Sequence, residues 1–270
     1  MNVLRLSEVQ EEQDFGGKAV QLGAAIRMGL PVPEGVALAV CFVEAAAAQD
    51  KRAIVELAAL HASFEGPLAV RSSVVGEDSA EASFAGQHRT CLNVTSETGL
   101  IQAVRDVWRS ACSDSALAYR RRLGISDSSR VAVVIQKLVE PDTAGVLFTR
   151  NPIDGSDERV IEASWGLGEA VVAGRVIPDR YRVSRSGEVL ERASGVKEVA
   201  VRVRPGGGTS EQKVEREHVE RLCLGDAQLF ELHLLAERCE EVFGAGLDLE
   251  WAFAGDALHL LQCRAVTRTA

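Results

Sequence analysis

The sequence predicts an α+β protein built as two lobes with a cleft between them. Three features carry this reading. Over the first half, apolar residues at helical spacing alternate with short apolar runs. From Val131 onward the period changes and β-branched runs dominate. The C-terminus reads as a hairpin, with Leu247, Leu249, Trp251 and Phe253 alternating with Asp248, Glu250 and Ala252. Clefts between lobes are common ligand sites.

In chain order, Gly16-Gly17-Lys18 precedes a helix from Ala19 to Gly29, with Leu22, Ala25, Ile26 and Gly29 at helical spacing. Pro31-Val32-Pro33 stops it, because proline cannot continue a helix and restricts its predecessor. Residues 35–48 read as a short strand running into an Ala-rich helix. Pro67 to Val70 reads as a strand that delivers Arg71 at its end. Residues 99–122 form an amphipathic helix with Ile101, Val104, Val107, Trp108 and Ala111 on one side. Val131–Ile135, Gly145–Thr149 and Arg159–Glu162 follow as strands. Pro205 to Ser210 is a flexible breaker. Residues 226–243 are a helix facing inward through Leu229, Leu232, Leu235, Cys239 and Val242. The lobes are expected to divide near residues 1–100 and 101–270.

Composition narrows the function. A formal net charge of -9 disfavours nonspecific nucleic-acid binding, which needs dense Lys and Arg against phosphates. No run approaches the ~18 apolar residues of a spanning helix, and no signal peptide is visible, so no membrane role is expected. The six cysteines are scattered without a C-x-x-C pair, which argues against structural zinc. They read as reduced thiols in the cytoplasm.

There is no G-x-x-x-x-G-K-[ST] loop, and Gly166-Leu167-Gly168 is only a partial dinucleotide fingerprint. The hairpin is more informative. Asp248 and Glu250 share one face of their strand, and Gln262 and Arg264 share one on the partner. A two-residue loop at Gly255-Asp256 would set Glu250 opposite Leu261. An odd loop sets Glu250 opposite Gln262 and Asp248 opposite Arg264, and gathers Leu249, Trp251, Leu261 and Cys263 on the apolar face. The odd register is expected, and parity along the return strand sets His259 on the face opposite Gln262's. That register makes a patch of two carboxylates, an amide oxygen and a guanidinium, suited to Mg²⁺ and phosphate. The same patch also reads as a solvated face with a cross-strand ion pair. Lys18 at a helix start opposes the helix dipole, a cost that a nearby anion would offset, or it is a flexible surface lysine. Arg71 reads either as an ion-pair partner of Glu77 or Asp78 or as a phosphate contact. Ser83 to Gln87 is a small-residue loop that lets backbone amides approach phosphate, or a plain turn.

Together these segments resemble a family. Phe15-Gly16-Gly17-Lys18, Gly29 to Gly35, Ala69-Val70-Arg71-Ser72-Ser73, Ala82 to Gln87 and Leu92-Asn93-Val94 occur in the order found in phosphoenolpyruvate synthases. So do Val134 to Val139, Ala144 to Thr149, Glu162 to Glu169, Leu249-Glu250-Trp251-Ala252 and Leu261-Gln262-Cys263-Arg264. The set is similar to the nucleotide-binding domain of the phosphoenolpyruvate synthase and pyruvate, phosphate dikinase family, shared with rifampin phosphotransferases.

The resemblance implies an ATP-grasp fold with ATP between the lobes. Lys18 and Arg71 would hold phosphates, and Gly86 and Thr90 would lie in the loop covering them. Gln136, Lys137, Leu138 and Val139 would line adenine, largely through backbone. Glu250 and Gln262 would ligate Mg²⁺, and Arg264 would contact the terminal phosphates. In the family a phosphohistidine domain and a substrate domain follow this one, and neither lies within the present residues. The resemblance thus implies a phosphotransferase component that passes a phosphoryl group to a histidine on a separate chain. An ATP-dependent ligase or kinase acting directly on a small molecule, and a nucleotide-binding module without turnover, are the alternatives.

Overall fold

The computed structural model describes residues 3–76, 89–112 and 130–266. Its first sheet has the strands β1 (Val3–Arg5), β2 (Gly35–Leu38), β3 (Leu68–Val74), β4 (Thr90–Val94) and β5 (Val131–Lys137). They lie in the order β1-β2-β5-β3-β4, every pair antiparallel. The central strand thus comes from beyond residue 100, and the first sheet is completed only by β5.

Helices α1 (Glu12–Arg27), α2 (Val40–Ala47), α3 (Lys51–Ser63) and α4 (Glu97–Ala111) cover this sheet. Side-chain caps start two of them. Asp50 accepts from the Arg52 and Ala53 amides, and Ser96 accepts from the Gly99 amide. In α4, Leu100, Ala103, Val104, Val107 and Ala111 are buried at helical spacing. Ile101 and Trp108, expected in that stripe, pack at its edge. On one face of the sheet Leu38, Phe42, Leu57, Leu68, Val70, Leu100 and Ile135 form the core. On the other, α1 packs Phe15, Ala19 and Leu22 against Ala37 and Val134. That second face also carries Ala69, Arg71 and Gln136, because Arg71 pairs with Val134 and Ala69 with Gln136.

The expected helix start is modified. α1 begins at Glu12 and breaks at Gly16, whose φ is 74°. A Cβ there would come within 2.2 Å of the Ser73 carbonyl oxygen, so only glycine permits the approach. The Ser73 hydroxyl then accepts from the Ala19 amide at 3.0 Å. Arg71 lies in the middle of its strand, not at its end, since Ser72, Ser73 and Val74 continue the ladder with β5.

The second sheet contains β6 (Thr143–Phe148), β7 (Arg159–Trp165), β8 (Asp179–Val183), β9 (Val189–Ala193), β12 (Leu247–Ala254) and β13 (Ala257–Ala265), ordered β13-β12-β6-β7-β8-β9. The helix Asp226–Phe243 seals one face. Its Leu229, Leu232, Leu235 and Cys239 pack on Leu147, Ile161, Leu249 and Trp251, with Val242 at the rim. A fully buried ion pair, Asp179 with Lys197, sits at the margin of this core. The Asp179 carboxylate also accepts from the Gly195 and Cys223 amides, which supplies the partners a buried charge requires. A separate hairpin, β10 (Val199–Val203) and β11 (Thr209–Lys213), stands beside the sheet, with the expected Pro-Gly-Gly-Gly breaker as its loop. No helix among the described residues is long and apolar enough to cross a membrane.

Candidate functional site

The C-terminal hairpin has the expected pairing by an unexpected route. Its turn is the two-residue Gly255-Asp256, because Ala254 pairs with Ala257. Counting back from this turn, an unbroken ladder would set Glu250 opposite Leu261. Instead the register shifts between Glu250 and Trp251, so Glu250 pairs with Gln262 and Asp248 with Arg264. The odd residue lies in a bulge at Leu261, not in the loop. Bulges re-aim side chains in this way beside functional sites.

Two expectations change with it. Leu260, fully buried, packs with Trp251 in place of Leu261. His259 pairs with Ala252, and so shares the face of Glu250 and Gln262. Simple alternation had put it on the opposite face.

Arg71 crosses from the first sheet to meet this hairpin. Its Nη2 donates to Glu250 Oε2 at 2.6 Å and to Gln262 Oε1 at 3.1 Å. Its Nη1 donates to the Leu261 carbonyl at 2.6 Å, an acceptor in the bulge itself. Its acidic partner is therefore Glu250; Glu77 and Asp78 lie outside the described residues, as does Gly86. Lys18 follows the Gly16 break, and its Nζ donates to the Ser72 carbonyl at 2.9 Å. Arg264 donates through Nε and Nη2 to Asp248 Oδ2, at 2.9 and 2.7 Å.

The electrostatics follow from this crowd of charge. Burial alone would raise the Glu250 carboxyl. The cations Arg71, Lys18 and Arg264 outweigh it and hold the group below its ordinary value. Asp248 goes the other way: burial, with some help from Glu250, pushes it up against the pull of Arg264. Asp248 Oδ1 is buried and has no hydrogen-bond partner. A buried carboxylate oxygen without a donor is costly, and a cation beside it would offset that cost. With Glu250 and the Gln262 amide oxygen, it completes a set of hard oxygen donors of the kind Mg²⁺ takes. Asp248 was legible as part of the patch, yet only its burial marks it as a candidate ligand.

A cavity of about 390 Å³ opens from this charged end between the lobes. Thr90 and Leu92 line it from β4, Gln136 to Val139 from the crossing segment, and Leu167 to Glu169 from the second lobe. The crossing segment is tightly tied. The Gln136 side-chain Nε2 donates to the Pro33 carbonyl, Lys137 Nζ pairs with Glu34 at 2.8 Å, and the Lys137 and Leu138 backbone amides donate to the Glu34 and Pro67 carbonyls. Two backbone donors expected to face a ligand are thus already committed to the fold. Leu167, Gly168 and Glu169, from the stretch that also reads as a partial fingerprint, form a wall of the cavity. Gly166, at φ 74°, passes so close to Val201 that a Cβ would meet its carbonyl oxygen at 2.5 Å.

Comparisons with known proteins identify a family for the chain. The family described as pyruvate phosphate dikinase, AMP/ATP-binding domain, matches residues 38–270. A rifampicin phosphotransferase of Streptomyces sviceus is 40% identical over 201 residues, which is 74% of this chain and 23% of that protein. A probable phosphoenolpyruvate synthase of Pyrococcus horikoshii is 40% identical over 229 residues, 80% of this chain and 28% of that protein. An uncharacterized phosphotransferase of Bacillus subtilis, YvkC, is 31% identical over 290 residues, 98% of this chain and 35% of that protein. The chain therefore spans only a minor part of the length of these relatives. The family model covers most of the chain, and the chain belongs to the pyruvate phosphate dikinase AMP/ATP-binding domain family.

Proposed function

We propose that the chain binds Mg-ATP in the interlobe cavity and transfers a phosphoryl group, with a histidine on a separate protein or domain as the acceptor. The observation that carries this is the meeting of Arg71 from one lobe with Glu250 and Gln262 from the other, beside Lys18 and Arg264. Phosphoryl transfer asks mainly for positioning and charge neutralisation, and these side chains supply both. Adenine would lie at the apolar end, against Gln136, Lys137, Leu138, Val139 and Leu92. Lys18, Arg71 and Arg264 would bind phosphate oxygens, with Thr90 and Gly86 in the segment above. Glu250, Gln262 and Asp248 would hold Mg²⁺, which would neutralise phosphate charge when bound. The first lobe would run through β5 and the second from β6 on. Six cysteines without a disulfide suit a cytoplasmic setting.

The relatives' names include both a phosphoenolpyruvate synthase and a rifampicin phosphotransferase, so the final acceptor is a matter for product analysis. A dikinase relay yields AMP and phosphate, whereas direct transfer to a small molecule yields ADP. The first test is thermal: Mg-ATP should raise the melting temperature progressively with concentration, worth about 2.7 kcal/mol at a hundred times Kd. A flat response to millimolar Mg-ATP would refute the reading.

A further inference from the structure

We propose that the β10–β11 hairpin is a clasp between the lobes, that Asn93 is its pin, and that the clasp sets the spacing of the cavity walls at the apolar end. The inference rests on reading that cavity as the nucleotide site, and it names a positioning residue rather than a group that touches the ligand.

Asn93 belongs to β4, the edge strand of the first sheet. The β3–β4 ladder shifts register between Leu68 and Val70, and Asn93 lies in the irregular stretch. Its φ is 58°, a left-handed conformation that asparagine tolerates better than other side-chain-bearing residues. Only 4% of it is exposed. Its Nδ2 donates to two carbonyls of the hairpin loop, Arg204 and Gly208, both at 2.8 Å. Its own carbonyl accepts from the Gly208 amide at 3.0 Å. Three hydrogen bonds thus join one residue of the first lobe to the tip of a hairpin more than a hundred positions away.

The loop is shaped for this. Gly206, Gly207 and Gly208 all have positive φ, and a Cβ on Gly207 would come within 3.3 Å of both the Asn93 carbonyl and Thr95 Oγ1. The triglycine that reads in sequence as a flexible breaker is a fitted docking surface.

The hairpin's other attachments are to the second lobe. The Leu167 amide donates to the Val201 carbonyl at 2.9 Å, and Thr209 Oγ1 donates to Glu169 at 3.2 Å. A small apolar cluster of Leu167, Ala170 and Val201 packs with Leu92, Leu138 and Val203. Leu92, Leu138 and Leu167 are cavity walls from opposite sides. Freeing Asn93 from the loop therefore leaves these walls joined at the apolar end only through that small apolar cluster, while Arg71, Glu250 and Arg264 at the charged end keep their own contacts.

The test compares Asn93→Gly, which keeps the backbone conformation and removes the amide, with Leu57→Ala, a buried substitution in the first-lobe core away from the cavity. Amide hydrogen exchange is followed over residues 204–209, and affinities are measured for Mg-ATP and for magnesium tripolyphosphate, which probes the charged end alone. Asn93→Gly should speed exchange over 204–209 and weaken Mg-ATP about tenfold, as the competent fraction falls, with tripolyphosphate affinity unchanged. Leu57→Ala should lower the melting temperature without either effect. Unchanged exchange in Asn93→Gly, unchanged Mg-ATP affinity, or equal loss of both ligands would overturn the clasp. If the wild type binds neither ligand, the nucleotide reading has failed, and exchange over 204–209 still decides whether Asn93 holds the hairpin.

Discussion

Arg71 and Glu250 meet at 2.6 Å although 179 positions and two different sheets separate them. The pair ties a mid-strand guanidinium of the first lobe to the strand that carries the candidate metal ligands. Its side chains are 12% and 24% exposed, so the interaction is only partly screened. Glu250→Ala should therefore weaken Mg²⁺-dependent nucleotide binding by roughly tenfold or more, a loss of ~1.4 kcal/mol or above, while the hairpin stays folded. Trp251→Ala, one residue away on the core face, should instead destabilise by roughly 3–5 kcal/mol. Urea unfolding and isothermal titration separate the two. A silent Glu250→Ala would leave the hairpin as a purely structural element.

The phosphate end should divide its labour from the adenine end. Arg71→Ala, Arg264→Ala and Lys18→Ala should lower turnover much more than adenosine affinity, because guanidinium and ammonium contacts matter most as phosphate charge redistributes. Parallel titrations with adenosine and Mg-ATP check this. Equal loss of both ligands would indicate a folding defect.

Acid stability should depend on Glu158. The carboxylate is buried, takes a fork from Arg182 at 2.8 and 2.7 Å, and accepts from Asn151 at 2.7 Å. Arg182 chiefly, against the pull of burial, holds the carboxyl below its ordinary value. A lowered folded value means that this stability is fully present above the unfolded value and is lost as pH falls through the folded one. Glu158→Gln should therefore cost about 1 kcal/mol at neutral pH, Arg182 being 38% exposed and screened. It should also flatten the loss between pH 5 and pH 3. Urea midpoints across that range give the answer, and an unchanged acid limb would contradict it.

Much of this was readable in the sequence because it rests on local pattern. The helix Asp226–Phe243 and the strands β5, β6 and β7 follow from apolar periodicity. The pairing of Glu250 with Gln262 was legible because the apolar face had to stay together, and the structure meets that demand with a bulge instead of an odd loop. A bulge leaves no mark in composition, so Leu261 and His259 were assigned by simple alternation and came out on the wrong faces. The place of β5 in the first sheet was not legible either. Strand order depends on contacts between distant segments, and only the β2 and β3 ladders on either side of β5 fix it. Asn93 was illegible for a similar reason, because its partners are backbone carbonyls of a distant loop.

The chain should form no stable phosphohistidine on its own. His61 lies in α3, and His88 is outside the described residues. His218 is partly exposed and stacks obliquely with Trp165. His233 is on the buried side of the helix Asp226–Phe243, against Arg159, on the face away from Glu250, where burial and that cation favour its neutral form. His259 is the serious candidate, because the bulge brings it to the face of Glu250 and Gln262. It is nonetheless fixed in the ladder opposite Ala252, two pairs along the strand from Glu250. A nucleophile for phosphoryl transfer must approach in line with the departing oxygen and close to the phosphorus, and a ring held in a strand has little freedom to reach that line. Incubation with ATP labelled in the β and γ positions should leave no stoichiometric alkali-stable phosphate on the protein. His259→Asn should leave any slow ATP hydrolysis within about twofold of wild type, far from the hundredfold or more expected for a general acid, base or nucleophile. Adding a competent acceptor should then start turnover. A stoichiometric phosphohistidine on the lone chain, abolished by His259→Asn, would replace the separate-acceptor reading with an internal one.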